Sequence, residues 1–279
     1  MTFRHSICNE AFEKWPFAAA CRAVREIGYT GIEIAPFTLA GKPSEVTAAA
    51  RKEYARIMQA EGLAFVGLHW LMMSPPGLHV TTPDAETRRQ GWQHVRDLID
   101  LCADLSVDGE GGGKSVMVFG SPKQRCTTGG LSRAEATRHM VEGLASVGPQ
   151  AAERGVTVLL EALPLNQCDV VQTLEEAVGI VEEINSPAIQ TMFDVHNAVD
   201  EREPHAALLE RYFAHIRHVH VNEFDGGHCG AGDYDFRPIL ETLRRLNYTG
   251  WISLEAFDFS YGAERLAAES LRHLESLSI

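Results

Sequence analysis

Four short apolar runs in the second half of the chain each end in a group that binds cations. They are VTVLLEALP (156–164), IQTMFDVHN (189–197), IRHVHVNEF (216–224) and GWISLEAF (250–257). Their tips carry Glu161, then Asp194 with His196, then His220 with Glu223, and finally Glu255. Between Asp194 and His220 there is room for one helix and its two turns, the span a right-handed β-α-β crossover needs. Neighbouring tips therefore belong side by side.

The same alternation of apolar runs and amphipathic segments extends over the whole chain. FRHSICNEAF reads as a first strand and loop, PFAAACRAVREIGY as a helix, TGIEIAPF as a second strand, and PSEVTAAARKEYARIMQAEG as a helix closed by Gly62. LAFVGLHW and KSVMVFGSP supply strands three and four. DAETRRQGWQHVRDLIDLCADL and SRAEATRHMVEGLASVGPQAAERG are the helices that follow them. TLEEAVGIVEEIN, PHAALLERYFAHI, DFRPILETLRRLNY and GAERLAAESLRHLESL complete the set behind the four runs. Eight strand-helix units predict an α/β fold, a closed (β/α)8 TIM barrel. A chain of 279 residues with 45% hydrophobic content and no visible linker is expected to form it as a single domain, 1–279. Strands covered on both faces should be continuous apolar runs, as these are.

In such a barrel the C-terminal strand ends form the active-site face. Glu161, Asp194, His220 and Glu255 then converge on one rim from strands five to eight. Three carboxylates turned into one mouth repel one another unless a cation sits between them. Any one of the four is better explained as capping or salt-bridging a neighbouring loop; four in successive strands are not. Carboxylates plus one imidazole suit Mn²⁺, with Mg²⁺ or Co²⁺ as substitutes and Zn²⁺ less favoured because no thiolate takes part.

Charge narrows the partners. A formal net charge of −13 offers little to a nucleic-acid backbone, so a small neutral or cation-assisted substrate is expected as partner, with neither nucleic acid nor membrane. The six cysteines, at 8, 21, 102, 126, 168 and 229, form no Cys-x-x-Cys pair and read as reduced thiols of a cytoplasmic protein. The opening MTFRHSICNEAF lacks the apolar run of a signal peptide, and no segment reaches the roughly 20 apolar residues of a membrane span. GEGGGKS (109–115) ends like a phosphate-binding loop, but Asp108 stands where its first glycine belongs and a strand follows instead of a helix. It is read as a flexible insertion on the far face.

The order Glu161, Asp194, His220, Glu255, with the phrases EALP, MFDVHN, HVHVNEF, GAGDYDF and NYTGWISLEAF, resembles the sugar isomerase/epimerase superfamily, the xylose isomerase-like barrels typified by ketose 3-epimerases. The resemblance implies a divalent metal held by those four residues, with Glu161 and Glu255 also flanking the reacting carbon, and a homodimer or homotetramer. An ion chelating a carbonyl and the adjacent hydroxyl stabilises a cis-enediolate, which one glutamate forms and the other reprotonates. Return of the proton to the same carbon is epimerisation, to the other carbon isomerisation, and loss of a β-hydroxyl is dehydration. Ligands alone do not choose among them. A lyase acting on a keto-sugar, keto-cyclitol or oxidised glycoside is therefore the alternative. Repair of abasic DNA ranks last, because the chain is acidic and lacks a histidine at the fourth strand tip.

Substrate contacts differ from the epimerase pattern. Where the relatives carry a histidine three residues after the aspartate, a glutamate six after the first ligand and an arginine six after the histidine ligand, this chain has Asn197, Gln167 and Gly226. We expect Gln167, Asn197 and His196 at the substrate, joined by His69 and Glu33 from strands three and two, with Trp70 as an apolar wall. Glu223 is expected around the ligands. Lys123 and Arg125 are read as solvent-facing loop charges, Asp233 and Asp235 as helix caps, and the glycines around His228 as a mobile loop.

Overall fold

The computed structural model describes residues 3–106 and 114–277. The glycine-rich stretch therefore lies, up to Gly113, outside the described residues. The strands are β1 (Arg4–Cys8), β2 (Gly31–Ile34), β3 (Ala64–Leu68), β4 (Ser115–Phe119), β5 (Val156–Leu160), β6 (Ile189–Asp194), β7 (Ile216–Val221) and β8 (Trp251–Leu254). All pair in parallel in chain order, and β1 pairs with β8, which closes the (β/α)8 barrel. The helices are α1 (Phe17–Ile27), α2 (Ala48–Ala60), α3 (Ala85–Leu105), a single turn α4 (Pro122–Arg125), α5 (Arg133–Glu153), α6 (Leu174–Ile184), α7 (His205–Tyr212), α8 (Arg237–Arg245) and α9 (Ala263–Ser276). None is long and apolar enough to cross a membrane, among the described residues.

Local chemistry sets the helix starts. Asp84, Ser132 and Thr173 accept the backbone N–H of the third residue of α3, α5 and α6. Thr47 does the same for α2, which is why that helix begins at Ala48 and not at Pro43; Pro43–Glu45 forms a separate 3-10 turn. Asp235 accepts the N–H of Arg237 at the start of α8.

Two layers of core follow from strand parity. Most buried apolar residues lie between sheet and helices, where Ile32, Leu68, Met117, Leu160, Phe193, Val219 and Leu254 meet the helical faces. Inside the barrel a smaller apolar cluster, Val66, Val116, Val118, Leu159 and Met192, occupies the side built by β3 to β6. The opposite side is polar: Ser6, Glu33, His218, His220 and Ser253 are all buried there. The expectation of continuous apolar strands thus fails on β1, β2, β7 and β8. Of their inward residues, Glu33, His218 and His220 bond to one another across the barrel and Ser253 meets Cys8, while Ser6 Oγ has no hydrogen-bond partner.

Three expectations about loops are corrected. Arg125 is fully buried, its guanidinium donating to the carbonyls of Phe119 (3.1 Å) and Val171 (3.3 Å). The segment around His228 is pinned: His228 pairs with Glu269, and the Cys229 N–H donates to Ser270 Oγ. Glu223 turns away from the rim into this segment, accepting from the N–H groups of Gly230 (2.8 Å) and Tyr234 (3.0 Å).

Candidate active site

The tips of β5 to β8 bring four side chains together. Ligand atoms of Glu161, Asp194, His220 and Glu255 all lie within 4.8 Å of one another, and all four residues are buried. Register explains part of this, since Asp194 and His220 are direct partners in the β6–β7 ladder. His220 Nδ1 lies 3.0 Å from Glu255 Oε2 and 3.5 Å from Asp194 Oδ2. Asp194 Oδ2 is buried with no hydrogen-bond partner. A buried carboxylate oxygen is costly without a donor, and a cation at this point would satisfy it. The donor set of three carboxylates and one imidazole therefore fits a divalent ion.

Neighbours hold each glutamate. Asn197 Nδ2 donates to Glu161 Oε1 (2.9 Å), and the Asn197 N–H donates to Asp194 Oδ1 (2.8 Å). The Trp70 indole N–H donates to Glu255 Oε1 (2.9 Å), from a residue held at φ 51°. That left-handed backbone is unfavourable for a bulky residue and is kept where the surroundings demand it. Asn222, which the sequence reading passed over, ties three tips by donating to the Glu255 carbonyl and accepting the His196 N–H.

Beneath this rim lies a network of histidines around Glu33. Glu33 is inaccessible to solvent and accepts from His218 Nε2 (2.8 Å) and His220 Nε2 (3.1 Å). Burial would raise its carboxyl, but the two histidines outweigh it and hold Glu33 well below the usual carboxylate range. By taking the Nε2–H of His220, Glu33 directs Nδ1 toward Asp194 and Glu255. His69 is likewise enclosed, bonded through Nε2 to Glu10 (2.7 Å). With Cys8 and Glu10 it flanks the far side of Glu255.

A cavity of about 210 Å³ opens above the four groups. Glu161, Glu255, Gln167, His196, Asn197 and Ser121 give it a polar side, and Trp70, Phe257, Val118, Leu163 and Pro122 an apolar one. Of the six expected substrate contacts, Trp70, His196, Asn197 and Gln167 line it. Glu33 and His69 do not, because they sit one layer down inside the barrel. Phe257 and Gly120 were not anticipated as lining residues. A larger cavity, about 1250 Å³, opens at the other end of the barrel among Arg4, Lys114, Arg217 and Trp251, and no carboxylate lines it among the described residues.

Residues 21–277 match the family described as Xylose isomerase-like TIM barrel. The chain belongs to that family. A ketose 3-epimerase from Arthrobacter globiformis is 25% identical over 192 residues, 67% of this chain and 63% of that protein, so the match spans less than two thirds of its length. The 3-dehydro-D-guloside 4-epimerase of Escherichia coli is 26% identical over 252 residues, 88% of this chain and 89% of that protein. The crystal structure of an apo 3-keto-D-glucoside 4-epimerase from E. coli shares the fold, with TM-score 0.82 at 21% identity, covering 99% and 100% of the two chains.

Two expected results follow for this xylose isomerase-like barrel. Glu33→Gln should weaken divalent-metal affinity about 10- to 100-fold, because the His220 ring loses its anionic anchor. Titration calorimetry with Mn²⁺ measures this, and an unchanged affinity would show that Glu33 does not hold His220 for the metal. The second concerns pH. Burial first, then Asp194 and Glu255, push the Glu161 carboxyl up to about 8. A carboxyl raised in the folded state favours folding while protonated, so its contribution is lost as pH rises from the ordinary 4.5 to about 8. Burial opposes protonation of His220, but Glu33 and Glu255 outweigh it and raise its pKa well above normal, which acts in the same sense. Five histidines whose pKa burial lowers, His5, His79, His94, His205 and His218, act the other way. The expected result is therefore differential: from pH 5 to pH 8, chelator-treated wild type should lose more melting temperature, or gain less, than Glu161→Gln. Added Mn²⁺ should stabilise more at pH 8, where it displaces fewer protons. An identical pH dependence of melting in wild type and Glu161→Gln would contradict the assignment.

Proposed function

We propose that the protein is a divalent-metal-dependent epimerase that inverts a carbon next to a ketone in an unphosphorylated sugar or oxidised glycoside. The observation that carries this is the pair of buried carboxyls, Glu161 from the tip of β5 and Glu255 from the tip of β8, both lining one cavity together with Asp194 and His220 nearby. A divalent ion, Mn²⁺ by the preference of this donor set, would be held by Glu161, Asp194, His220 and Glu255 and would supply a Lewis acid for the carbonyl.

Glu161 and Glu255 approach the cavity from different strands, so one can remove a proton from a carbon while the other returns one to its opposite face. Asn197 fixes Oε1 of Glu161 and leaves Oε2 for a proton, while the Trp70 indole holds Oε1 of Glu255, whose Oε2 faces His220 Nδ1 at 3.0 Å. Trp70 and Phe257 pack against each other edge to face, and offer an apolar wall to the C–H face of a sugar. Gln167, His196 and Ser121 face its hydroxyls. No Lys or Arg lines the cavity among the described residues, so a phosphate would be desolvated there without a counter-charge. The relative that this chain covers most fully of those described bears the name of a 4-epimerase of a 3-dehydro-glycoside, which supports including oxidised glycosides in the class.

The test is proton exchange. Mn²⁺-loaded protein in D₂O is given ketoses, aldoses, 3-keto-glycosides and their phosphorylated counterparts, and each carbon is read by NMR. Deuterium at one carbon with inversion, for an unphosphorylated member, is the expected result. Migration of the carbonyl would make the enzyme an isomerase, and loss of water a dehydratase. Absence of exchange with every compound would remove the proton-transfer mechanism.

A further inference from the structure

Behind the cavity, the segment after β4 meets the segment after β5 at two cysteines. Cys126 closes the α4 turn and Cys168 directly follows Gln167, which lines the cavity. The two sulfurs and a carboxylate oxygen of Asp169 lie within 4.8 Å of one another. Cys168 is 3% exposed, while Cys126 is half-buried. Cys126 Sγ donates to the carbonyl of Pro122 (2.8 Å) and lies 3.3 Å from that of Gln167. Cys168 Sγ accepts the Val170 N–H at 3.5 Å. One thiol thus stands among acceptors and the other among donors.

Arg125 supplies the reason for this asymmetry. Its guanidinium is wholly buried, its bonds go to two neutral carbonyls, and its Nε has no partner. A buried cation needs an anion. The charge that acts on it most strongly is that of Cys168, ahead of Glu161. Asp169 accepts instead from the N–H and hydroxyl of Thr127, and the cation that acts on it is Arg133.

We propose that Cys126 and Cys168, whose sulfurs lie within 4.8 Å of each other where the two loops meet, are a modification site at which a peroxide forms a reversible disulfide between those loops. The neighbouring Cys126 and Arg125 lower the Cys168 pKa, against burial. The thiolate is the nucleophile in such chemistry. Cys168 sulfur attacks one peroxide oxygen, the O–O bond breaks, and the departing hydroxide takes a proton from solvent, leaving Cys168–SOH. Cys126 sulfur then attacks Cys168 sulfur, the S–O bond breaks, and hydroxide leaves with the Cys126 proton as water. Two electrons pass from the sulfurs to the peroxide. A thiophilic metal is the poorer occupant, since Arg125 repels it and Asp169 is engaged.

The experiment uses the full chain and needs no substrate. Protein treated with hydrogen peroxide is alkylated, digested and mapped by mass spectrometry, and a parallel sample is reduced with dithiothreitol. The expected result is a Cys126–Cys168 cross-linked peptide, an intact mass lower by two hydrogens, and full reversal on reduction. In Cys126→Ser, dimedone should instead capture a sulfenic acid on Cys168. In Cys168→Ser, Cys126 should stay unmodified. Retention of all six free thiols, or oxidation confined to other cysteines, would overturn the proposal. Should either variant fail to fold, the rate of native-state alkylation of wild-type Cys168 between pH 5 and 8 decides: a plateau reached before pH 8 supports the thiolate, and a continued rise rejects it.

Discussion

Glu161→Gln should reduce proton exchange about a thousandfold or more, the usual scale for loss of a positioned acid or base. Glutamine keeps the shape and the carbonyl that accepts from Asn197 Nδ2. What it lacks is the oxygen that takes a proton and the charge that holds a cation. Stability should move the other way, because the substitution removes a carboxyl that burial, Asp194 and Glu255 all disfavour as an anion. A variant that melts no lower than wild type at pH 8 in chelator, yet fails to exchange deuterium at saturating Mn²⁺, separates chemistry from folding. Retained exchange would exclude Glu161 as the proton-transfer group. Glu255→Gln is expected to lose exchange as well, and in addition to loosen Trp70, whose indole N–H would keep only a neutral acceptor.

The second large effect is expected at a position with no functional group. A methyl on Gly120 would stand 2.1 Å from Glu161 Oε2, well inside contact distance. Gly120 is not in the left-handed region, so Gly120→Ala adds no backbone strain and the damage falls on the carboxylate. Glu161 can swing aside at little cost to folding, but its oxygen leaves the position shared with Asp194, His220 and Glu255. Displacement by about an ångström costs about a hundredfold in rate when a reacting group is misplaced. The expected outcome is a hundredfold fall in kcat/KM with nearly wild-type melting, read by the same exchange assay. Unimpaired exchange would show that Glu161 need not sit where it does.

These two positions also mark the limits of reading the sequence. Glu161, Asp194, His220 and Glu255 were visible because each ends an apolar run, and such runs are regular enough to count. Gly120 gave no such sign. Its role exists only because β4 and β5 are neighbours and the Glu161 side chain leans across the gap. Arg125 misled for a related reason. In GSPKQR it looks like a loop charge, and only the fold encloses it behind Cys168. Glu223 misled because its place two residues past the end of β7 says nothing about direction, and the chain after it folds back to offer the N–H groups of Gly230 and Tyr234.

What the sequence determined by itself was periodic: the alternation of strands and helices, and the four groups at consecutive strand tips. Local patterns suffice there, because strand and helix periodicity involve residues a few positions apart. The tertiary structure alone decided the network under the rim. Glu33 meets His218 and His220 across 185 and 187 positions of chain, and Trp70 meets Glu255 across 185. Such contacts arise only when β1 pairs with β8 and closes the sheet. Until then, nothing in the neighbourhood of Glu33 distinguishes a substrate contact from the buried anion that aims His220.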